Sequence, residues 1–313
     1  MSETMSNELV YALATTRDMT TWFAARGSGL YRSQDDGESW DDLYESLDLA
    51  EPLPTTSVVL SPDYDGKEHA RLFAGVPGGV LRSVDGGESW FASNLDSPPP
   101  AVSALAISPN FVDDGVVLAA TTEDGIFRSA NHGGHWARWN FGLLDLTVFC
   151  MAISPGFSED ETLYAGVESG IFRSTNGGRA WREVDLPVGY EPVLSIGLSP
   201  GFPQDGIVFA GTESQGLLVS ADYGVGWAQL GQGAVEGAVN AILVSPDFPG
   251  RPDLLVLADD VLWLSRDGGL QWTRVEDAPQ GISTILAPKG LAVQSPLLVG
   301  LLSGDVVLLK LNA

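Results

Sequence analysis

The sequence predicts an all-β fold, a single seven-bladed β-propeller of four-stranded antiparallel blades occupying residues 1–313 as one domain. Three observations carry that expectation. Tryptophan recurs at positions 40, 90, 136, 181, 227 and 272, each closing the same eight-residue pattern. A second pattern, Ser-Pro-x-Phe/Tyr, runs in phase with it from Ser61, Ser108, Ser154, Ser199 and Ser245, with a degenerate Ala287-Pro288 in the sixth place. The 37 glycines and 19 prolines are spread between short apolar runs, the punctuation of many strands joined by tight turns. With 44% hydrophobic and 18% charged residues the chain supports a sizeable core, and an internal repeat outweighs length as a guide to domain number.

Each repeat reads as four elements in order. The first is a short apolar run ending at the Ser-Pro pair, as in residues 104–107, 150–153 and 241–244. A second run follows, at 72–76, 116–121, 163–167, 207–211 and 254–258, then a glycine-bearing turn and a third strand such as 125–129. The tryptophan motif comes next and leads into a fourth strand. The resulting units are about 9–45, 57–95, 102–141, 147–186, 192–232, 238–277 and 283–312. A small sheet cannot bury both faces until neighbours stack on it, so such units close into a ring. The seventh unit lacks its fourth strand, and residues 7–10 are the spare segment expected to pair there.

The tryptophan motif is Ser-x-Asp-x-Gly-x-x-Trp, carried by Asp35 with Trp40, Asp85 with Trp90, Asp222 with Trp227 and Asp267 with Trp272. Asparagine replaces the acid in two copies, Asn131 with Trp136 and Asn176 with Trp181. Asp, Asn and Ser side chains satisfy turn amides, glycine supplies a positive φ, and an indole buries apolar area while keeping one donor. Because asparagine makes the same bonds without charge, these positions read as structural, not catalytic or metal-binding. The boxes also lack the dense oxygen series of a calcium loop, and His132 with His135 has no third ligand. Arginines 32, 82, 128 and 173 each precede the motif serine, an equivalence that points to contacts with the adjacent blade.

Over nearly its whole length, from Leu9 to Asn312, the chain resembles the Asp-box (BNR-repeat) β-propeller superfamily, in which this box is a peripheral hairpin turn. The sialidases of that superfamily clamp a substrate carboxylate with three arginines. Here the runs ending at Pro62, Pro109, Pro155, Pro200, Pro246 and Pro288 contain no arginine, which argues against that activity. Xyloglucan-active glycosidases with similar repeats place paired acids between two propellers, whereas one propeller is encoded here. Photosystem II assembly-factor-like propellers and sortilin-type ectodomains are the non-enzymatic relatives the resemblance implies. The latter depend on disulfides, and this chain has one cysteine, Cys150, in an apolar run where a buried inert thiol is expected.

Sixteen basic against 41 acidic residues give a net charge of −25, which repels nucleic acid and anionic membranes. Solubility or a salty habitat explains such a surface, and so does a basic partner or bound cations. No apolar stretch is long enough to cross a bilayer, and the first nine residues show no basic-then-apolar leader, so the expectation is a cytoplasmic protein.

In a four-stranded blade the Ser-Pro turns and boxes share one face, while the second-to-third turns and the inter-blade loops share the other. On that loop face Glu123, Glu168, Glu213 and Asp259 repeat a carboxylate, forming an acidic collar, and the inter-blade loops add Phe141, Leu143, Leu144 and Tyr190. The expected function is a non-catalytic scaffold that docks a protein, with a basic segment as the favoured ligand and no cofactor or metal. A carbohydrate-binding or glycoside-hydrolysing role for Glu123, Glu168 and Glu213 is the alternative.

Overall fold

The computed structural model describes residues 8–312 other than 94 and 97. It is a seven-bladed propeller. Among the described residues six sheets have four antiparallel strands in sequential order and the last has three. Their innermost strands are Val10–Thr15, Ser57–Leu60, Val102–Ile107, Val148–Ile153, Val193–Leu198, Val239–Val244 and Ile282–Leu286. These pack side by side around the axis, and Val10–Thr15 meets Ile282–Leu286 to close the ring. The second strands are the most apolar and are buried throughout, as in Leu72–Val76, Leu163–Val167 and Leu254–Ala258, because a blade lies against each of their faces.

Among the described residues the segment anticipated to pair with the seventh blade adds no fourth strand to it. Leu9 accepts a hydrogen bond from Gly27 N–H at 3.1 Å and Glu8 accepts one from Ser28 Oγ at 2.9 Å, so both fasten to the first blade, and Val10 opens that blade's inner strand. Asn7 lies outside the described residues. Among the described residues the seventh blade ends at its third strand, Val306–Lys310.

Neighbouring blades are joined by three repeated contacts. First, a hydroxyl or thiol near the start of one inner strand donates to the carbonyl of the first residue of the next. Ser103 Oγ reaches Val148 O at 2.5 Å, Cys150 Sγ reaches Val193 O at 3.6 Å, Ser195 Oγ reaches Val239 O at 2.7 Å and Ser283 Oγ reaches Val10 O at 2.7 Å. Thr56 does the same towards Val102. Cys150 therefore stands in for a serine, and desolvation pushes its thiol up to about 12, well outside the range of a reactive cysteine.

Second, the aromatic of the Ser-Pro motif packs edge-on against an aromatic of the preceding blade: Tyr64 on Phe23, Phe111 on Phe73, Phe202 on Tyr164 and Phe248 on Phe209, with centroids 5.7 to 5.9 Å apart. In three blades this motif is a single helical turn, Phe111–Asp114, Phe157–Asp160 and Phe202–Asp205, where the sequence suggested only a loop. The cause is local. The motif serine donates to an aspartate six residues on, as Ser154 does to Asp160 at 2.6 Å, and a residue in the left-handed region ends the turn.

Third, the recurring arginines reach the box of the next blade. Arg32 donates to Gly86 O at 3.2 Å and pairs with Glu88, Arg82 donates to His132 O at 3.2 Å, and Arg173 donates to Tyr223 O at 2.8 Å. Three boxes thus offer the carbonyl of the same position. Arg128 instead stacks on Trp139, 4.3 Å from the ring centroid.

The boxes are alike in their bonding. The serine hydroxyl donates to the Asp or Asn Oδ1 two residues on, at 2.7 to 2.9 Å, and accepts the N–H of the motif glycine at 2.8 to 3.0 Å. The same Oδ1 takes the N–H four residues on, in Asn131 and Asn176 as in the aspartates. These bonds hold the aspartates below the usual carboxylate range: from the Ser39 side chain and backbone for Asp35, from Gly226 N–H for Asp222 and from Gln271 N–H for Asp267.

A depressed folded-state pKa stabilises fully above the unfolded value and is lost as pH falls through the folded one. Asp35→Asn/Asp222→Asn/Asp267→Asn is therefore expected to match the parent at neutral pH. As pH falls below about 4, the value of a free aspartate, it should lose urea resistance less steeply. Superimposable pH profiles of the urea midpoint would show that these carboxylates carry no such linkage.

Candidate functional site

The loop face is built from second-to-third strand turns, each pinned to the approach to an inner strand. Thr122 N–H bonds Ala101 O at 3.1 Å, Glu168 N–H bonds Thr147 O at 3.3 Å, Glu213 N–H bonds Pro192 O at 2.9 Å and Asp259 N–H bonds Ala238 O at 2.7 Å. Glu168, Glu213 and Asp259 therefore hold the same place on blades 4 to 6, whereas on blade 3 Thr122 holds it and Glu123 follows one residue on; all four acids are exposed. They are not equivalent in what they do. The Asp259 carboxylate accepts Ala238 N–H at 3.2 Å, and the residue holds a left-handed φ of 51°, so it shapes its own turn. Glu168 lies close to Tyr190, whose phenol is pushed up by desolvation and then by the negative charges of Glu168 and Asp145.

Among the described residues no three His, Cys, Asp or Glu side chains are grouped to hold a metal ion. The expected apolar loop residues divide. Phe141 and Leu144 are each 80% exposed and Tyr190 is 68% exposed. Leu143, between the first two, is instead buried in the core cluster of blades 3 and 4 with Phe172 and Trp181, because its turn folds inward from Asn140. Phe141 is held at the outer edge, where its carbonyl accepts Trp181 N–H at 2.8 Å. There it borders a groove of about 540 Å³ with Trp181, Arg182, Tyr223 and Val225.

Two acids not singled out from the sequence fix these loops. Asp145 accepts Thr147 N–H at 3.0 Å through one oxygen and Ser169 N–H at 2.8 Å through the other. Glu191, only 7% exposed, accepts Ser214 N–H at 2.5 Å and Ser214 Oγ at 3.1 Å. Each stands two or three residues before an inner strand, the one signal that marks them. Together they tie the Leu144 and Tyr190 loops to neighbouring turns, so the exposed apolar groups project from anchored backbone.

No protein-family model matches the sequence, and no curated protein sequence does. Similarity appears among solved structures. A B. thetaiotaomicron extracellular domain assigned to a hybrid two component system superimposes with a TM-score of 0.73 at 16% identity, over 100% of this chain and 39% of that one. YCF48 bound to D1 peptide gives 0.71 at 16% identity, over 98% and 94% of the two chains. The GH74 xyloglucanase from Xanthomonas campestris gives 0.67 at 15%, over 96% and 51%. At these identities the likeness is one of fold, shared by binding proteins and enzymes. The chain spans well under half of the B. thetaiotaomicron domain. No helix among the described residues is long and apolar enough to cross a membrane.

Proposed function

We propose that the protein is a non-catalytic scaffold that docks a protein partner on the loop face, beside blades 3 to 5. The observation that carries this is the exposure of two large apolar side chains, Leu144 and Tyr190, on consecutive anchored loops bordered by Asp145, Glu168 and Glu213, with Phe141 exposed at the outer edge beside the boxes of blades 4 and 5. Exposed apolar groups in a charged surround mark interaction sites. The acidic border and the net charge of −25 favour a segment that combines apolar anchors with lysine or arginine. That a propeller of similar size, YCF48, is found with a bound peptide supports a peptide-docking role.

The alternative is glycoside hydrolysis or carbohydrate binding, which the similarity to a GH74 enzyme keeps in view. Hydrolysis needs two carboxylates roughly 5 to 10 Å apart with opposed environments. Glu123, Glu168 and Glu213 stand one per blade, on three separate turns. Turnover of fluorogenic glycosides that disappears in Glu168→Gln would replace the scaffold reading with this one. A cytoplasmic setting draws no support from the comparisons, since the B. thetaiotaomicron structure is an extracellular domain.

Purification from native cells provides the test. The partner recovered with the parent protein at low salt is expected to fall at least tenfold with Phe141→Ala/Leu144→Ala/Tyr190→Ala. It should also show a shallower salt dependence with Glu123→Gln/Glu168→Gln/Glu213→Gln, since screening acts over about 10 Å at 0.1 M. Equal recovery with the first variant removes the docking face from the account.

A further inference from the structure

Among the described residues the seventh blade presents an open sheet edge that the other six cover. Strand Val306–Lys310, Val-Val-Leu-Leu-Lys, is the third and last of its sheet among the described residues. Leu301 N–H bonds Asp305 O at 2.9 Å and Leu311 N–H bonds Ser295 O at 3.4 Å, which sets the ladder register. In an antiparallel pair the bonding direction alternates, so the N–H and C=O groups of Val306, Leu308 and Lys310 point away from the sheet.

The other blades show what belongs there. Leu30, Ile126 and Leu262 occupy the place of Val306, and each accepts an N–H from the residue that follows its blade's fourth strand: Leu43 at 3.0 Å, Trp139 at 2.9 Å and Val275 at 2.9 Å. That covering strand is only two or three residues long, as in Asp41–Asp42 and Arg182–Val184. Leu30, Val80, Ile126, Ile171, Leu217 and Leu262 are at most 1% exposed, whereas Val306 is only partly buried and Leu308 is 47% exposed. The start of the strand is acidic, with Asp305 before it and Glu8 packed on Gly304; at its far end Asp277 accepts from Asn312, beside Lys310 and Arg266.

We propose that this edge is a second docking site, which takes a short extended segment of a partner protein by antiparallel strand addition to Val306–Lys310. Main-chain bonds to Val306 and Leu308 give affinity, an apolar residue covers Leu308, and flanking lysine or arginine residues meet the acidic border. A second copy of the chain is disfavoured as occupant by the repulsion between two molecules of charge −25.

The test uses hydrogen exchange at individual amides of the full chain, with a synthetic probe copying the natural covering strand of blade 6, Gln271 to Val275, flanked by lysines. The expected result is slowed exchange at Leu308 and Lys310 on adding the probe, with at least tenfold weaker binding when the flanks are glutamate. Leu308→Lys should lose the probe while keeping the parent melting temperature, and Leu308→Val, which keeps the edge apolar, should retain it. Absence of probe-dependent protection at millimolar concentration overturns the proposal. So does protection without probe that vanishes when residues 1–7 are removed, which would mean the edge is filled by the chain itself, or protection that grows with protein concentration, which would mean a second copy fills it.

Discussion

Gly75→Ala is expected to destabilise the protein by about 1–3 kcal/mol, the usual cost of overpacking a well-filled core, and Ser57→Ala should recover much of that loss. A Cβ at Gly75 would stand 2.6 Å from Val102 Cγ1 and closer still to Ser57 Oγ. The backbone there is ordinary strand, so the demand for glycine is one of space. The pairing across the first two strands of each blade shows why the second change compensates. Where the inner strand carries Ser57, Cys150, Ser195 or Thr284, the opposed residue is Gly75, Gly166, Gly211 or Gly300. Where the inner strand carries Ala12, Ala104 or Ala241, the opposed residue is Ala25, Ala120 or Leu257. Alanine at both positions 57 and 75 would reproduce the pairs already present in blades 1 and 3. Ser57 Oγ is moreover buried with no hydrogen-bond partner among the described residues, so Ser57→Ala alone should not destabilise. Chemical denaturation of the two single variants and the double variant measures the coupling, and strict additivity would refute it.

The second large effect is expected at the box serines. Ser129→Ala removes a hydroxyl that donates to Asn131 Oδ1 at 2.9 Å and accepts the buried Gly133 N–H at 3.0 Å. An orphaned buried amide costs about 1–3 kcal/mol, and the Asn131 side chain loses its orienting donor as well. A loss of that size is expected, against little change for Asn131→Asp, since aspartate fills the same place in four other boxes. A stable Ser129→Ala protein with an unshifted urea midpoint would mean that water replaces the hydroxyl at no cost.

The periodic elements were open to reading from the chain itself because each blade repeats the same local chemistry. Tryptophan spacing set the blade length, and the Asn131 and Asn176 replacements told that the box positions serve the turn. What stayed hidden is non-local. The equivalent places of Arg32, Arg82 and Arg173 pointed to the next blade, but their acceptor, a backbone carbonyl about fifty residues on, leaves no local mark. Phe141, Leu143 and Leu144 look alike in a loop, yet only the backbone turn after Asn140 decides that the middle one is buried. Asp145 and Glu191 resemble collar acids until their bonds to Ser169 and Ser214 are seen. The open edge of the seventh blade followed from a missing box, but the place of Glu8 and Leu9 on the first blade did not.

The docking account is tested most directly by photo-crosslinking in native cells, with a benzophenone side chain placed in turn at positions 190, 144 and 270. Leu270 is 81% exposed on the opposite, box-bearing face and serves as the control for an equally accessible apolar position. The account predicts one discrete protein adduct shared by positions 190 and 144, reduced by Glu168→Gln at low salt and absent from position 270. Adducts of equal yield from position 270, or none from 190 and 144 in cells where the protein is abundant, would contradict it.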